Sequence, residues 1–213
     1  MNKKLVAAAI IGITVLPALQ GCFPLVAAGV TTGVMATVDR RSVGTQTEDE
    51  SIEWKASSRV GKDLVVKTHL NFTSFNRKVL ITGEVPTPEA KADAERIVGE
   101  LNNVQGIYNE IVVGPSSSFS NRSNDSFITS KIKSRSLDSG KFNPVHVKVV
   151  TEAGIAYLMG MLTQAEADAA INVARTTTGV KKVVNLMEII TPAKARELDV
   201  AQKSSGNSTQ PAK

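Results

Sequence analysis

The chain repeats itself, and that repeat limits its possible folds more than any other feature does. His69-Leu70-Asn71-Phe72 lies beside His146-Val147-Lys148-Val149 at an offset of 77. At the same offset Gly83 meets Gly160, Glu89 meets Glu166 and Ala90 meets Ala167. Further on the offset is 76: Val104 meets Val180 and Asn109 meets Asn185. One residue is therefore expected to be lost in the helix-to-strand turn of the second copy. The copies are read as 52–113 and 126–190.

Each copy carries the same order of periodicities. A short helical stretch comes first, from Ile52 to about Arg59 and from Ser126 to about Leu137, with Asn124, Asp125 and Ser126 as candidate caps of the second. A hairpin follows. Leu70 and Phe72 alternate with Asn71 and Thr73, Asn76-Arg77 turns the chain, and Val79–Thr82 returns. In the second copy Val147 and Val149 alternate with Lys148, Glu152-Ala153-Gly154 turns, and Ile155–Met159 returns. Ala90, Ala94, Ile97, Val98 and Leu101 then form one apolar stripe at helical spacing, repeated more weakly by Ala167, Ile171, Ala174 and Thr178. A last strand covers Ile107–Val113 or Val183–Ile190. The expected class is α+β: two tandem α-β-β-α-β domains, each a three-stranded mixed sheet covered by two helices. The helix between strands two and three makes those strands parallel, while the hairpin is antiparallel.

Outside the repeats, the N-terminus is the most telling. Lys3 and Lys4 precede an uncharged apolar run from Leu5 to Leu19. Such a run is short for a bilayer span, which takes about 20 residues, and suits the core of a secretory signal. Leu19-Gln20-Gly21-Cys22 then resembles a lipobox, with Gln20 bulkier than usual at its place. Residues 1–21 are thus expected to be cleaved, and Cys22 to carry diacylglycerol and acyl chains of the palmitate class. The other reading, an uncleaved membrane helix with an incidental cysteine, fits the run length poorly. Cys22 is the single cysteine of 213 residues, so no internal disulfide forms. Acylation accounts for a lone thiol in an oxidising compartment. Residues 22–51 read as a lipidated N-terminal linker, 114–125 as a serine-rich linker, and 191–213 as a polar, disordered tail.

These residues carry a family resemblance. Val79-Leu80-Ile81-Thr82-Gly83 closing strand two, an alanine-rich helix, and Gly179-Val180-Lys181-Lys182-Val183-Val184-Asn185 resemble the BON domain. The lipobox, Asp39-Arg40-Arg41-Ser42-Val43-Gly44-Thr45-Gln46 and two such domains are similar to dual-BON lipoproteins of the bacterial envelope. The polar tail departs from that pattern. The resemblance implies a non-enzymatic protein on the periplasmic face of the outer membrane. Its implied roles are phospholipid binding and outer-membrane integrity, with a preference for division sites. Phe23 after Cys22 agrees, since no aspartate there retains the chain at the inner membrane.

The residues give little support to catalysis. His69 and His146 stand at equivalent strand starts and read as polar residues there. A metal centre needs several converging ligands, so neither a metal nor any other cofactor is expected. Glu89 and Glu166 in first helical turns favour the helix dipole. No phosphate-binding glycine loop is present. After signal removal the charge is 23 Lys+Arg against 20 Asp+Glu, which does not call for nucleic acid.

The copies differ in charge. Residues 50–113 hold 8 basic and 9 acidic side chains, and residues 126–190 hold 8 and 5. Phe127, Ile128, Lys131, Ile132, Lys133 and Arg135 put three cations and three apolar side chains on one helix. This composition suits an anionic lipid surface such as phosphatidylglycerol or cardiolipin. It equally suits a helix whose apolar residues pack on their own sheet and whose cations face water; the resemblance favours lipid. A second hypothesis is a module whose first domain docks an envelope protein, such as outer-membrane assembly or cell-wall remodelling machinery.

Overall fold

The computed structural model describes residues 39–64 and 69–207. The signal segment and Cys22 lie outside the described residues. Helix α1 (Val43–Asp63) opens the first domain, with Ser42 as its cap: the Thr45 N–H donates to the Ser42 hydroxyl. Strands β1 (His69–Phe75) and β2 (Lys78–Val85) form the hairpin, followed by α2 (Pro88–Gly99), β3 (Gly106–Asn109) and the short β4 (Val112–Val113). The second domain repeats this as α3 (Phe119–Ser139), β5 (Val147–Glu152), β6 (Ile155–Leu162), α4 (Gln164–Arg175), β7 (Lys182–Asn185) and β8 (Glu188–Ile189). A further helix, α5 (Pro192–Asn207), follows.

The sheets have the expected topology. β1 runs antiparallel to β2, with His69 opposite Glu84, and β3 and β4 both run parallel to β2. β5 to β8 pair in the same way. Each expected third strand is divided in two without a change of register. The cause is the asparagine shared by the repeats. The Asn109 side chain accepts from the Ile111 N–H, and that of Asn185 from the Met187 N–H, so each strand bends locally out of its ladder.

The glycines ending the second strands have a steric reason. Gly83 lies opposite Leu70 and has φ +113°, and a Cβ there would collide with the His69 carbonyl oxygen. A Cβ at Gly160 would collide in the same way with the His146 carbonyl oxygen.

Three boundaries differ from the sequence reading. Both first helices start earlier, at Val43 and Phe119 rather than Ile52 and Ser126, with Ser118 rather than residues 124–126 as the second cap. The added turns bury only one side chain each, Asp49 and Asp125, so apolar periodicity has nothing to register. The one-residue loss falls in the strand-to-helix turn. Val85-Pro86 precedes the cap Thr87, whereas Leu162 leads directly into the cap Thr163. Accordingly Ala170 and Val173, not Ile171 and Thr178, join Ala167 and Ala174 on the buried face. Finally, the segment expected to be a disordered tail from 191 onward contains α5. Its side chains are mostly polar, but Ala195 is buried and Asp199 binds Arg40.

Each domain has its own core. Ile52, Ala56, Val79, Ile81, Val85, Ala94 and Val98 join α1 and α2 to one face of the first sheet. Ile128, Ile132, Val149, Ala156, Leu158, Leu162 and Ala174 do the same in the second. The alternate residues of the strands point the other way. Phe75 and Leu80 of the first sheet meet Tyr157 and Met159 of the second in a third core. The order through the molecule is therefore helices, sheet, sheet, helices.

Polar contacts rim this junction. Lys148 Nζ reaches Glu53 at 2.6 Å, and Lys78 Nζ reaches Glu188 at 3.2 Å. The Asn76 amide donates to Glu188 at 3.0 Å. Glu110 and burial, burial foremost, push the Tyr157 hydroxyl up to about 12.

Candidate lipid-contact surface

Helix α3 turns its two faces to different surroundings. Ile128 and Ile132 are fully buried in the second domain's core, with Asp125 and Ser136 on the same stripe. This corrects their expected place among lipid-contacting side chains: they fix the helix to its sheet and are not available at the surface.

Outward stand Phe119, Phe127 and Leu137, at 78%, 62% and 70% exposure. At about 100° per residue, serines 123, 130 and 134 share that face. The apolar side chains are therefore spaced along a serine-rich ridge. Lys131 and Arg135 flank one side of the ridge and Lys133 the other.

The cations are not equivalent. Lys131 Nζ lies 4.8 Å from the centre of the Phe127 ring and donates to the Thr178 carbonyl. Arg135 donates to the Val173 carbonyl at 3.0 Å and to the hydroxyls of Thr177 at 2.7 Å and Thr176 at 3.0 Å. Both side chains thus satisfy groups at the C-terminal end of α4, where positive charge is favoured. Between them and residues 176–178 lies a hollow lined by Ser134. Lys133 extends from the exposed side of the helix and makes no ion pair among the described residues. It borders a second hollow together with Leu137, Val145, Arg41 and Lys148.

This second hollow lies where the chain enters the domains. Arg40 joins Glu166 through two hydrogen bonds of 2.8 and 2.9 Å and Asp199 through two of 2.9 and 3.2 Å. Arg41 binds Asp39 and Asp49 and stacks over the Phe75 ring at 4.0 Å. One arginine is thus tied to the second domain and the next to the first.

Sequence reasoning missed Asp49 and read Asp125 only as a candidate helix cap. Asp49 accepts from the N–H groups of Asn76 and Arg77 at 2.8 and 2.7 Å, both residues at positive φ in the hairpin turn. Asp125 accepts from Ala153 and Gly154 at 2.9 and 2.8 Å, again at positive φ. Their shared offset of 76 was the available signal. Glu166 also does more than favour the dipole: it completes a capping box with Thr163.

No helix of the described residues is long and apolar enough to cross a membrane. The BON domain matches residues 48–115 and 124–191. The chain belongs to the BON-domain family, as a protein with two such domains in tandem. It is similar to the outer membrane lipoprotein DolP of Haemophilus influenzae, at 36% identity over 190 residues, covering 88% of this chain and 96% of that one. It is also similar to the 21 kDa hemolysin of Actinobacillus pleuropneumoniae, at 39% identity over 155 residues, covering 72% and 80%. The osmotically-inducible protein Y of Escherichia coli is 29% identical over 150 residues, covering 67% and 73%. The chain is thus an outer-membrane lipoprotein of the dual-BON type.

Proposed function

We propose that this lipoprotein binds anionic phospholipid through the outward face of α3 and thereby supports outer-membrane integrity, including at division sites. The observation that carries this reading is the exposed ridge of Phe119, Phe127 and Leu137 with Lys133 on one flank and Lys131 and Arg135 on the other. Fully burying a Phe or Leu side chain is worth about 1.5–3 kcal/mol, and each cation near an anionic surface about 1 kcal/mol. Lys131 and Arg135 already serve the end of α4, so apolar insertion is the larger contribution. The hollow between those cations, Ser134 and residues 176–178 suits a phosphodiester headgroup.

Cys22 carries the anchor. Asp39 borders the same hollow as Lys133 and Leu137. An acyl anchor confines the helix near the lipid and raises its effective concentration, so a weak contact suffices. Replacing Cys22 by Ser is expected to release the protein into the soluble envelope fraction.

The lipid claim is tested with residues 39–213 and vesicles. Vesicles of phosphatidylglycerol or cardiolipin should bind better than neutral ones, and Phe127→Ala and Lys133→Glu should each weaken binding about tenfold with an unchanged unfolding midpoint. Equal binding to neutral vesicles sinks the claim.

A second reading rests on Trp54, which stands 71% exposed on α1. Here the first domain docks a protein of the outer-membrane assembly or cell-wall remodelling machinery. Crosslinking from position 54 in cells should then persist when Lys131, Lys133 and Arg135 are reversed in charge.

A further inference from the structure

His69, Glu84 and Glu152 converge although they are far apart in sequence. Their ligand-capable atoms all lie within 4.8 Å of one another. His69 and Glu84 are cross-strand partners of β1 and β2, and His69 Nδ1 sits 3.2 Å from Glu84 Oε2. Glu152 comes from the end of β5 in the second domain. Sequence reasoning read His69 as a polar residue at a strand start and expected no metal, for want of converging ligands.

The two carboxylates are poorly compensated. Glu84 and Glu152 are each only 8% exposed. Among the described residues neither forms an ion pair with a lysine or arginine. Glu84 accepts from the Ser117 hydroxyl at 3.3 Å, and Glu152 from the Asn71 amide at 3.0 Å. Arg122 borders a hollow lined also by His69, Asn71 and Glu152, but one of its guanidinium nitrogens donates to the Ser117 carbonyl. Asp125 lines it too, with its oxygens committed to the turn at residues 153 and 154. Two buried carboxylates beside one imidazole are costly unless a cation or a proton joins them.

We propose that His69, Glu84 and Glu152 form a divalent-metal site, suited to zinc, that joins the two domains. One imidazole with two carboxylates and room for water is a ligand set that zinc accepts, whereas calcium takes six to eight oxygens and magnesium near-ideal octahedral oxygen. Zinc–ligand bonds of about 2.1 Å put tetrahedral ligands about 3.4 Å apart. The His69–Glu84 pair already has that spacing, and rotation of the Glu152 side chain closes the rest. Binding displaces the Nδ1 proton of His69 to solvent or Nε2, since the metal takes the free lone pair. The site is independent of the lipid-contact ridge.

The test uses the full-length, untagged lipoprotein in detergent, stripped with a chelator and titrated with zinc chloride under equilibrium dialysis with metal analysis. One zinc per chain is expected, with a rise in unfolding temperature. Glu152→Gln and His69→Gln should each lower the affinity at least tenfold and abolish the thermal rise, while exposed Glu95→Gln leaves both unchanged. Without zinc, Glu152→Gln should unfold at or above the wild-type temperature, because it removes an uncompensated charge; this separates lost ligation from misfolding. Less than one zinc per chain in the wild type, or wild-type binding by Glu152→Gln and His69→Gln, overturns the proposal.

Discussion

At the scale of single residues, a few carboxylates do most of the positioning. Asp49 and Asp125 reach from the first helix of each domain to the hairpin turn and accept two backbone N–H groups apiece. The turns hold non-glycine residues at positive φ, Asn76, Arg77 and Ala153, and the charge-assisted hydrogen bonds offset that strain. Asp125→Ala is expected to leave the Ala153 and Gly154 N–H groups without their acceptor and to cost about 2–3 kcal/mol, read from urea unfolding. Glu166 gives a pH signature. Burial pushes its carboxyl up, but Arg40, with the N–H and hydroxyl of Thr163, outweighs this and holds it at about 2, against an ordinary 4.5. A lowered folded pKa means that the stabilisation is complete above the ordinary value and is lost as pH falls from about 4.5 through 2. Thermal unfolding of Glu166→Gln should therefore depend less on pH in that window than the wild type, and the two should converge toward its acid end.

At the scale of elements, α3 separates two roles by face. Ile132→Ala removes a fully buried side chain and is expected to cost about 2–5 kcal/mol. Phe127→Ala touches only the exposed ridge and should change stability by less than about 0.5 kcal/mol. Chemical denaturation of the two variants side by side checks the difference. Helix α5 behaves as a strap. Ala195 is buried, Asp199 holds the Arg40 guanidinium, and the Gln202 amide donates to the Arg41 carbonyl at 3.1 Å. Ending the chain at Ile190 should lower the unfolding temperature and speed proteolysis near residue 40, because Arg40 loses one of its two carboxylate partners. Unchanged cleavage there counts against the strap.

At the scale of the whole molecule, two domains of ordinary α+β design share a core between their sheets. A domain of about 60 residues buries little surface and is marginal by itself. Leu80 and Met159, both buried at that junction, make each domain's stability depend on its neighbour. Calorimetry is therefore expected to show one cooperative transition, with matching calorimetric and van't Hoff enthalpies. Leu80→Ala should lower that transition as a whole by about 2–5 kcal/mol. Two well-separated transitions in the wild type contradict the shared core.

The amino-acid order by itself determined the class of fold. Period-two alternation, the apolar stripe from Ala90 to Leu101, and the paired glycines are local signals that survive without knowledge of the partner surface. The repeat then made each copy a check on the other. The same order also picked out the basic helix, but not which of its side chains face outward. Ile128 and Phe127 are neighbours of similar hydrophobicity, and only docking of α3 on its sheet buries one and exposes the other. The early starts of α1 and α3 and the helical tail escaped for a related reason: their partners are carboxylates and arginines distant in sequence, and hydrophobic periodicity does not record such contacts. The meeting of His69 and Glu84 with Glu152 belongs wholly to tertiary structure. It arises because two sheets pack face to face, bringing an edge of one hairpin against the end of another, and no repeat or spacing encodes that juxtaposition.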